Sequence, residues 1–125
     1  MDSLPGMAYR CLYDEHWTMK FVSSGCMDLT GYGPDEILDN RCVSWARLIA
    51  SEQPEYLTEQ VEIAIAAAET FSLEYQLRRK DGEIIWVWER GRAVSDDDEL
   101  VLEGIILDIT RIWRPGCQSW PPWIR

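Results

Sequence analysis

The sequence has little of the chemistry that metal centres and acid–base catalysts most often use, since His16 is its only histidine. Its four cysteines form no C-x-x-C pair, which argues against a structural zinc site. They are Cys11, Cys26, Cys42 and Cys117. We therefore predict no metal site, interpret the cysteines as free thiols that pack in the fold, and place His16 in a solvated turn.

Positive charge is also scarce. There are 12 Lys and Arg residues against 22 Asp and Glu residues, which gives a net charge of −10. A surface of this charge repels phosphate groups, so nucleic acid and anionic membranes are disfavoured as partners. The sequence has no apolar run long enough to cross a bilayer and does not open on a secretion signal. We expect one cytoplasmic domain.

Motifs of known catalytic machinery are missing as well. The sequence has no glycine-rich phosphate loop, no G-x-S-x-G motif and, with one histidine, no evident His–carboxylate pair. Arg78, Arg79 and Lys80 lie beside a tight turn, and consecutive strand residues point to opposite faces, so we interpret this triplet as a solubilising hairpin tip. The domain itself is predicted to be non-catalytic.

The sequence does contain clear secondary-structure patterns. Residues 8–13 and 17–22 are rich in aromatic and β-branched side chains around a polar turn, which predicts a hairpin. Short helices are predicted at residues 25–29, 34–38 and 45–49, where serine, glycine and proline mark the ends. Residues 54–69 carry a single apolar stripe at helical spacing and form the one long predicted helix.

After this helix the apolar period changes to two. Residues 71–78 alternate apolar and polar side chains, which predicts a half-buried strand, and Asp81-Gly82 is a strong hairpin signal. Two further strands are predicted at residues 83–94 and 100–110. The order β-β-α-α-α-α-β-β-β predicts an α+β domain with helices packed on one face of an antiparallel sheet.

The strand predicted at residues 83–94 is apolar on both faces. Trp86 and Trp88 share one face, and Ile85 and Val87 share the other. One face belongs to the core, so the other needs a second cover, such as a partner chain or a flanking helix, unless the tryptophan rings lie flat along the sheet beneath long arginine side chains. Trp88 is our candidate for a dimer surface.

Four stretches of the sequence carry recognisable motifs, among them LTGY, K-D-G-x-x-x-W-V, R-G and a closing G-x-x-x-D-I-T. The stretches are LPGMAYRC (4–11), WTMKFVSSGCMDLTGYGPDEI (17–37), FSLEYQLRRKDGEIIWVWERGRAV (71–94) and LEGIILDIT (102–110). In this order they resemble the Per-Arnt-Sim (PAS) sensor domains of the bacterial PAS/PAC type. The resemblance covers residues 4–110.

The resemblance implies a five-stranded antiparallel sheet with helices on one face, often around an internal pocket. It implies a lead-in at residues 1–6, the sensor domain at residues 7–110 and a C-terminal connection to an output domain, commonly a diguanylate cyclase or a histidine kinase. Asp108 and Thr110 of the closing motif are the expected signal relay. By the same analogy, Glu74 and Arg90 are expected to form a buried structural pair.

Departures from the resembled pattern bear on the cofactor. Haem-binding members use a histidine on the long helix, which residues 54–69 lack, and Cys42 is displaced by one position from the reactive cysteine of the flavin photosensors. We therefore predict neither haem nor flavin, and leave an unidentified small ligand open. Prolines interrupt residues 111–125, so we expect an irregular tail there in place of the usual connecting helix.

These observations favour a sensory module of a bacterial signal-transduction protein that binds a small ligand, forms a homodimer, or does both, to control an output domain. The alternative is a ligand-free dimerisation or protein-interaction module. The residues proposed to line a ligand pocket, chosen without knowing which strand face points inward, are Trp45, Tyr56, Ile65, Phe71, Tyr75 and Trp86.

Overall fold

The structure, a computed structural model, describes residues 5–50 and 54–112. Within these residues, nine helices and strands follow the predicted order, with a 3-10 turn (Leu38–Asn40) after the second helix. They are β1 Gly6–Leu12, β2 Met19–Val22, α1 Gly25–Thr30, α2 Pro34–Ile37, α3 Trp45–Leu48, α4 Pro54–Ala67, β3 Phe71–Arg78, β4 Ile84–Asp96 and β5 Glu99–Asp108. Strand β1 begins one residue inside the predicted lead-in, and residues 113–125 of the predicted tail lie outside the described residues.

The strands form one five-stranded sheet in the order β2-β1-β5-β4-β3, with antiparallel pairing throughout. Strand β1 therefore lies beside β5, so the two ends of the domain meet in the middle of the sheet. The helices pack on one face, where apolar side chains of α3 and α4 join those of the strands in a single core. The predicted fold class is confirmed.

Local sequence signals place the ends of several elements. Gly31 ends α1 with a φ of 82°, a conformation that glycine adopts without strain. The Ser44 side chain accepts a hydrogen bond from the Arg47 N–H and caps α3 as predicted. Ser23 does not cap α1, because its hydroxyl accepts a hydrogen bond from the Ala8 N–H instead. Ala68, with a φ of 55°, ends α4 shortly before the predicted end.

The register decides which face of β4 points inward. Ile85 and Val87 lie opposite Leu77 and Tyr75 of β3 and are buried under the helices. Trp86 and Trp88 therefore lie on the outer face. There Trp88 and Ile109 are buried in a second, smaller cluster with Trp86, Leu107 and Ile112. The turn after β5 thus covers part of the outer face.

Helices that could cross a membrane were sought in the described part of the chain, and none has the necessary length and apolar character.

Candidate functional site

A carboxyl group projects from β4 towards the core. Glu89 lies opposite Leu73 of β3 and Ile106 of β5, both of which are buried on the inner face. Glu89 is partly buried and accepts hydrogen bonds from the hydroxyls of Tyr9 and Tyr75, the latter at 2.7 Å. The two tyrosines are only 2% and 3% exposed, so two phenol groups enclose the carboxylate instead of bulk water.

Glycine makes room for one of these contacts. Tyr9 belongs to β1, and β5 separates β1 from β4 in the sheet. A Cβ atom at Gly91 would lie 2.6 Å from the Tyr9 hydroxyl and 2.7 Å from Cζ of Phe71. Gly104 of β5 lies opposite both Tyr9 and Gly91. The Tyr9 ring therefore crosses over two glycines to reach Glu89.

The second tyrosine links the carboxyl group to the helical layer. The Trp45 indole donates a hydrogen bond from Nε1 to the Tyr75 hydroxyl at 3.1 Å, and Tyr75 donates onward to Glu89. Trp45 is held at the start of α3 by the Ser44 cap. One chain of hydrogen bonds thus connects α3, β3, β4 and β1, and Glu89 is its common acceptor.

Burial and hydrogen bonding act in opposite directions on the pKa of this carboxyl group. Burial raises the pKa of Glu89 above its ordinary value, while the hydrogen bonds from Tyr9 and Tyr75 oppose that rise. Burial and the neighbouring Glu89 also raise the pKa of both tyrosines. The tyrosines therefore stay neutral donors, and Glu89 is the group whose charge changes most easily.

A small cavity adjoins the carboxyl group. Its volume is about 20 Å³, which suits a single water molecule. Trp17, Trp45, Leu57, Val61, Tyr75 and Glu89 are among its lining residues. Most of the lining is apolar, so Glu89 and Tyr75 supply the polar contacts that a molecule in this space would meet.

Trp17 borders both this cavity and a cleft at the surface. The same residue lines an outer cleft of about 400 Å³ together with Tyr13, Asp14, Glu15 and Thr58. Trp17 is half-buried and has a φ of 52°, which is uncommon for a bulky side chain and marks local strain. Its indole packs against Tyr13, with 5.9 Å between the ring centroids. The Trp17 side chain therefore lies between the cavity and the outer cleft.

Of the six predicted pocket residues, Trp45 and Tyr75 line the cavity. Phe71 is buried in the main core and Ile65 packs against it, but neither borders the cavity. Tyr56 is 54% exposed on α4, so its assignment to the pocket was wrong. The helix turns Leu57 and Val61 inward and leaves Tyr56 outside.

Two further predictions require correction. Trp86 lies on the outer face opposite Gln76, so it cannot reach the cavity under the helices. Glu74 lies opposite Trp88, and Arg90 lies opposite Ser72, also on the outer face. Within the described residues no ion pair joins Glu74 to Arg90, and both are exposed. The expected buried pair is therefore absent.

The remaining predicted residues lie on the outer face and at the end of β5. Trp88 is 3% exposed and donates a hydrogen bond from Nε1 to Ser72 Oγ at 2.7 Å. The Thr110 hydroxyl donates to Asp108 Oδ1 at 2.6 Å and accepts from the Trp86 N–H at 3.0 Å. Asp108 and Thr110 thus fasten the chain after β5 to the start of β4.

Glu89, Tyr9 and Trp17 were not predicted from the residue pattern. A signal for Glu89 was available, because it follows Ile85 and Val87 at alternate positions and so shares their face. Tyr9 lies 80 positions from Glu89 in the sequence, and no local pattern joins them. The backbone strain at Trp17 has no counterpart in the residue pattern.

The domain is thus a helix-covered antiparallel sheet that encloses a small space beside a carboxyl group. The family model described as the PAS fold matches residues 19–106. This match spans most of the chain, and the chain belongs to the PAS fold family. No curated protein sequence matches it.

Solved structures show the same fold at low sequence identity. One is the N-terminal domain of a diguanylate cyclase with a PAS/PAC sensor from Marinobacter aquaeolei, with a TM-score of 0.67, 17% identity, and coverage of 85% of this chain and 96% of that one. A variant PAS-B domain of Drosophila melanogaster Cycle with bound glycerol has a TM-score of 0.69 and 19% identity, and the match covers 82% of this chain and 98% of that one. A sensory box histidine kinase/response regulator from Burkholderia thailandensis has a TM-score of 0.65 and 19% identity, and the match covers 86% of this chain and 79% of that one.

Proposed function

We propose that this PAS domain is the cytoplasmic, non-catalytic sensory module of a bacterial signal-transduction protein, and that it binds a small ligand in the cavity beside Glu89. The observation that carries the proposal is the Glu89 carboxyl group held by Tyr9 and Tyr75 at the edge of that cavity. Burying a carboxyl group destabilises a fold unless its hydrogen bonds are replaced. Such an arrangement is typical of sites that recognise a ligand or a proton.

The size of the cavity limits the ligand. A space of about 20 Å³ holds a water molecule, so anything larger must displace side chains as it enters. Trp17 is the first side chain to move, because it borders both the cavity and the outer cleft. The ligand shifts the domain between two states only by its difference in affinity for them. We propose a small polar molecule that hydrogen-bonds Glu89.

The proposed route to the output domain runs along β4. Glu89 lies on this strand, and Trp86 near its start is hydrogen-bonded to Thr110 just after β5. A change at Glu89 that shifts β4 would therefore strain the link between Trp86 and Thr110. Diguanylate cyclases and histidine kinases, which appear among the similar structures, are the proposed classes of output domain.

We propose no haem and no flavin for this domain. Helix α4, Pro54–Ala67, carries no histidine that could bind haem iron. Cys42 is exposed and lines a surface cleft, whereas the interior cavity is lined by other residues, so it is poorly placed to react with a ligand inside the core. Visible absorbance from the purified protein would contradict this part of the proposal.

The proposal is tested by looking for a small molecule that stays bound through purification and by titrating glycerol into the domain. Native mass spectrometry of the purified domain is expected to reveal a retained small molecule, or glycerol is expected to shift the Trp45 indole N–H signal saturably in NMR spectra. Glu89→Gln should weaken the effect, because the amide replaces one acceptor oxygen with a donor. Glu74→Gln makes the same change on the outer face and is the control. If nothing is retained and glycerol shifts nothing saturably, the proposed binding of a small polar molecule beside Glu89 is contradicted.

A ligand-free homodimerisation module is the second candidate, favoured by the outer face of the sheet. Phe21 of β2 and Ile105 of β5 lie on this face and are 53% and 42% exposed. Because Trp88 is already covered, these two residues are better placed than Trp88 to meet a second copy. Sedimentation of the wild type and the Phe21→Ala/Ile105→Ala double variant tests this, and a wild type that is monomeric at all concentrations eliminates it.

A further inference from the structure

A second cleft lies at the end of the molecule where α3 meets the β3–β4 hairpin. Its volume is about 430 Å³, within the range of small-molecule sites. Arg47, Arg78, Arg79 and Lys80 contribute four cationic side chains to its lining, together with Tyr32 and Cys42. Among the described residues that line it there is no carboxylate, although acidic residues outnumber basic ones 22 to 12 in the chain.

Most of these cations have no acidic partner in the part of the chain that the structure describes. Lys80 Nζ pairs with Glu36 Oε2 at 3.0 Å and lies 5.5 Å from the centre of the Tyr32 ring. No ion pair of Arg47, Arg78 or Arg79 occurs within the described residues. The Nε atom of Arg79 is buried and makes no hydrogen bond there. A buried donor without an acceptor destabilises the fold, so a bound acceptor would stabilise it.

The backbone around this cleft is held in place. The Lys80 N–H donates to the Thr30 carbonyl at 2.8 Å and fixes the hairpin tip against the end of α1. Gly31 permits this close approach, because a Cβ atom there would lie 3.1 Å from Cβ of Lys80. The Arg79 N–H donates to the Glu83 carbonyl at 2.8 Å. The cationic side chains therefore project from a supported turn.

Strand alternation predicted that Arg78, Arg79 and Lys80 would not share a face, but the turn changes this. Consecutive residues of a regular strand point to opposite faces, but β3 ends at Arg78, so Arg79 and Lys80 belong to the turn. Helix α3 then brings Arg47 to the same cleft from a distant part of the sequence. The acidic residues of the hairpin, Asp81 and Glu83, are not among the lining residues.

We propose that this cleft binds a small oxyanion, namely inorganic phosphate or the phosphate group of a small ester, through Arg47 and Arg79. The planar guanidinium group offers paired donors that match the oxygens of phosphate. Concentrated positive charge on an otherwise acidic surface attracts anions to this point. This site is separate from the cavity beside Glu89 and does not depend on the proposed sensory ligand.

Inorganic phosphate is the first probe, titrated into the isotopically labelled domain at constant ionic strength with chloride as the balancing anion. Saturable NMR shifts are expected for backbone amides at residues 30–33, 42–47 and 78–82. Arg47→Gln and Arg79→Gln are each expected to weaken binding about tenfold or more, the usual effect of losing a hydrogen bond to a charged group. Phenyl phosphate as a second probe distinguishes an ester site from a site for the free anion.

The control is Arg90→Gln, which removes an equal charge from an exposed position outside this cleft. Shifts that never saturate would overturn the proposal, as would equal weakening by Arg47→Gln and Arg90→Gln, since both results indicate unspecific charge attraction. Arg79 is half-buried, so its variant is used only if it melts at the wild-type temperature. Arg47 is exposed, and its variant alone is sufficient to decide.

Discussion

The side chains on the two faces of β4 are the reverse of what their positions would suggest, since the inner face packs on the core and the outer face does not. The inner face carries a glutamate and a glycine, whereas the outer face carries the two largest side chains of the strand. In order, the inner residues are Ile85, Val87, Glu89 and Gly91, and the outer residues are Trp86, Trp88, Arg90 and Arg92. The comparison teaches that size and apolarity alone do not tell which face of a sheet carries the main core.

The difference has a physical reason in each case. On the inner face, Glu89 has two tyrosine donors, and Gly91 provides the space that one of those tyrosines needs. On the outer face, Trp88 is covered by the turn that contains Ile109, and its indole N–H is paired with Ser72. Each face thus satisfies its polar groups, but with partners from distant parts of the chain.

The largest loss of stability is expected from a substitution on the outer face of β4. Trp88→Ala should destabilise the domain by about 3 kcal/mol or more, because it removes a large buried side chain and leaves a cavity beneath Ile109. Chemical denaturation measures the loss. Phe21→Ala, on the same face but exposed, is the control and should cost less than about 1 kcal/mol. Equal losses for the two variants would mean that the outer cluster does not support the fold.

A smaller loss is expected from filling the space on the inner face. Gly91→Ala should destabilise the domain by about 1–3 kcal/mol, because the new methyl group would collide with Tyr9 and Phe71. Gly33→Ala is the matched control, since its Cβ would meet the flexible end of Met27 at 3.3 Å and Glu36 Oε1 at 4.0 Å, both at ordinary or nearly ordinary contact distance. The Tyr9 ring signals should also shift in NMR spectra of Gly91→Ala. Unchanged stability would remove the assigned role of Gly91.

The two faces can also be compared by varying pH. One glutamate on each face is expected to change the stability of the domain with pH, and the two changes have opposite direction. Burial raises the pKa of Glu89 above the ordinary 4.5, so its folded form holds a proton that the unfolded form has lost. Stability should therefore fall as pH rises from 4.5 through the raised pKa. Glu89→Gln should reduce this fall in unfolding curves measured across that range, and what remains is expected from Glu74, whose pKa burial also raises.

Glu103 on the outer face provides the opposite case. Hydrogen bonds from Arg10 and Arg92 hold its pKa below 4.5, so its contribution is present above that pH and is lost as pH falls through the lowered pKa. Glu103→Gln should flatten the acid side of the profile and leave the region above 4.5 unchanged. If both variants altered the same pH range, the opposite environments assigned to the two carboxylates would be wrong.

Much of the fold was predictable because its signals are local. Period-two alternation predicted β3 at residues 71–78, and the structure has the same bounds. Asp81-Gly82, Gly31 and Ser44 act within a few residues of themselves, so turns and caps could be assigned without knowing the rest of the molecule. The order of the elements then restricted the fold to a helix-covered antiparallel sheet.

The candidate site was predicted only in part. Trp45 and Tyr75 were assigned to the pocket, but Tyr56 and Trp86 were assigned wrongly. The error for Trp86 came from the strand itself, because both of its faces are apolar and alternation cannot distinguish them. The Glu74–Arg90 pair was expected from the family resemblance alone, and the register places both residues on the outer face, where they are exposed.

By itself, the sequence determined the elements, their order and the class of fold, because backbone propensities and side-chain periodicity act over a few residues. Tertiary structure decided that β1 pairs with β5, which brings Tyr9 over Gly104 and Gly91 to Glu89. It likewise decided that Arg47 joins the hairpin cations in one cleft. Contacts of this kind depend on strand register and on packing between distant segments, and no local pattern of residues encodes them.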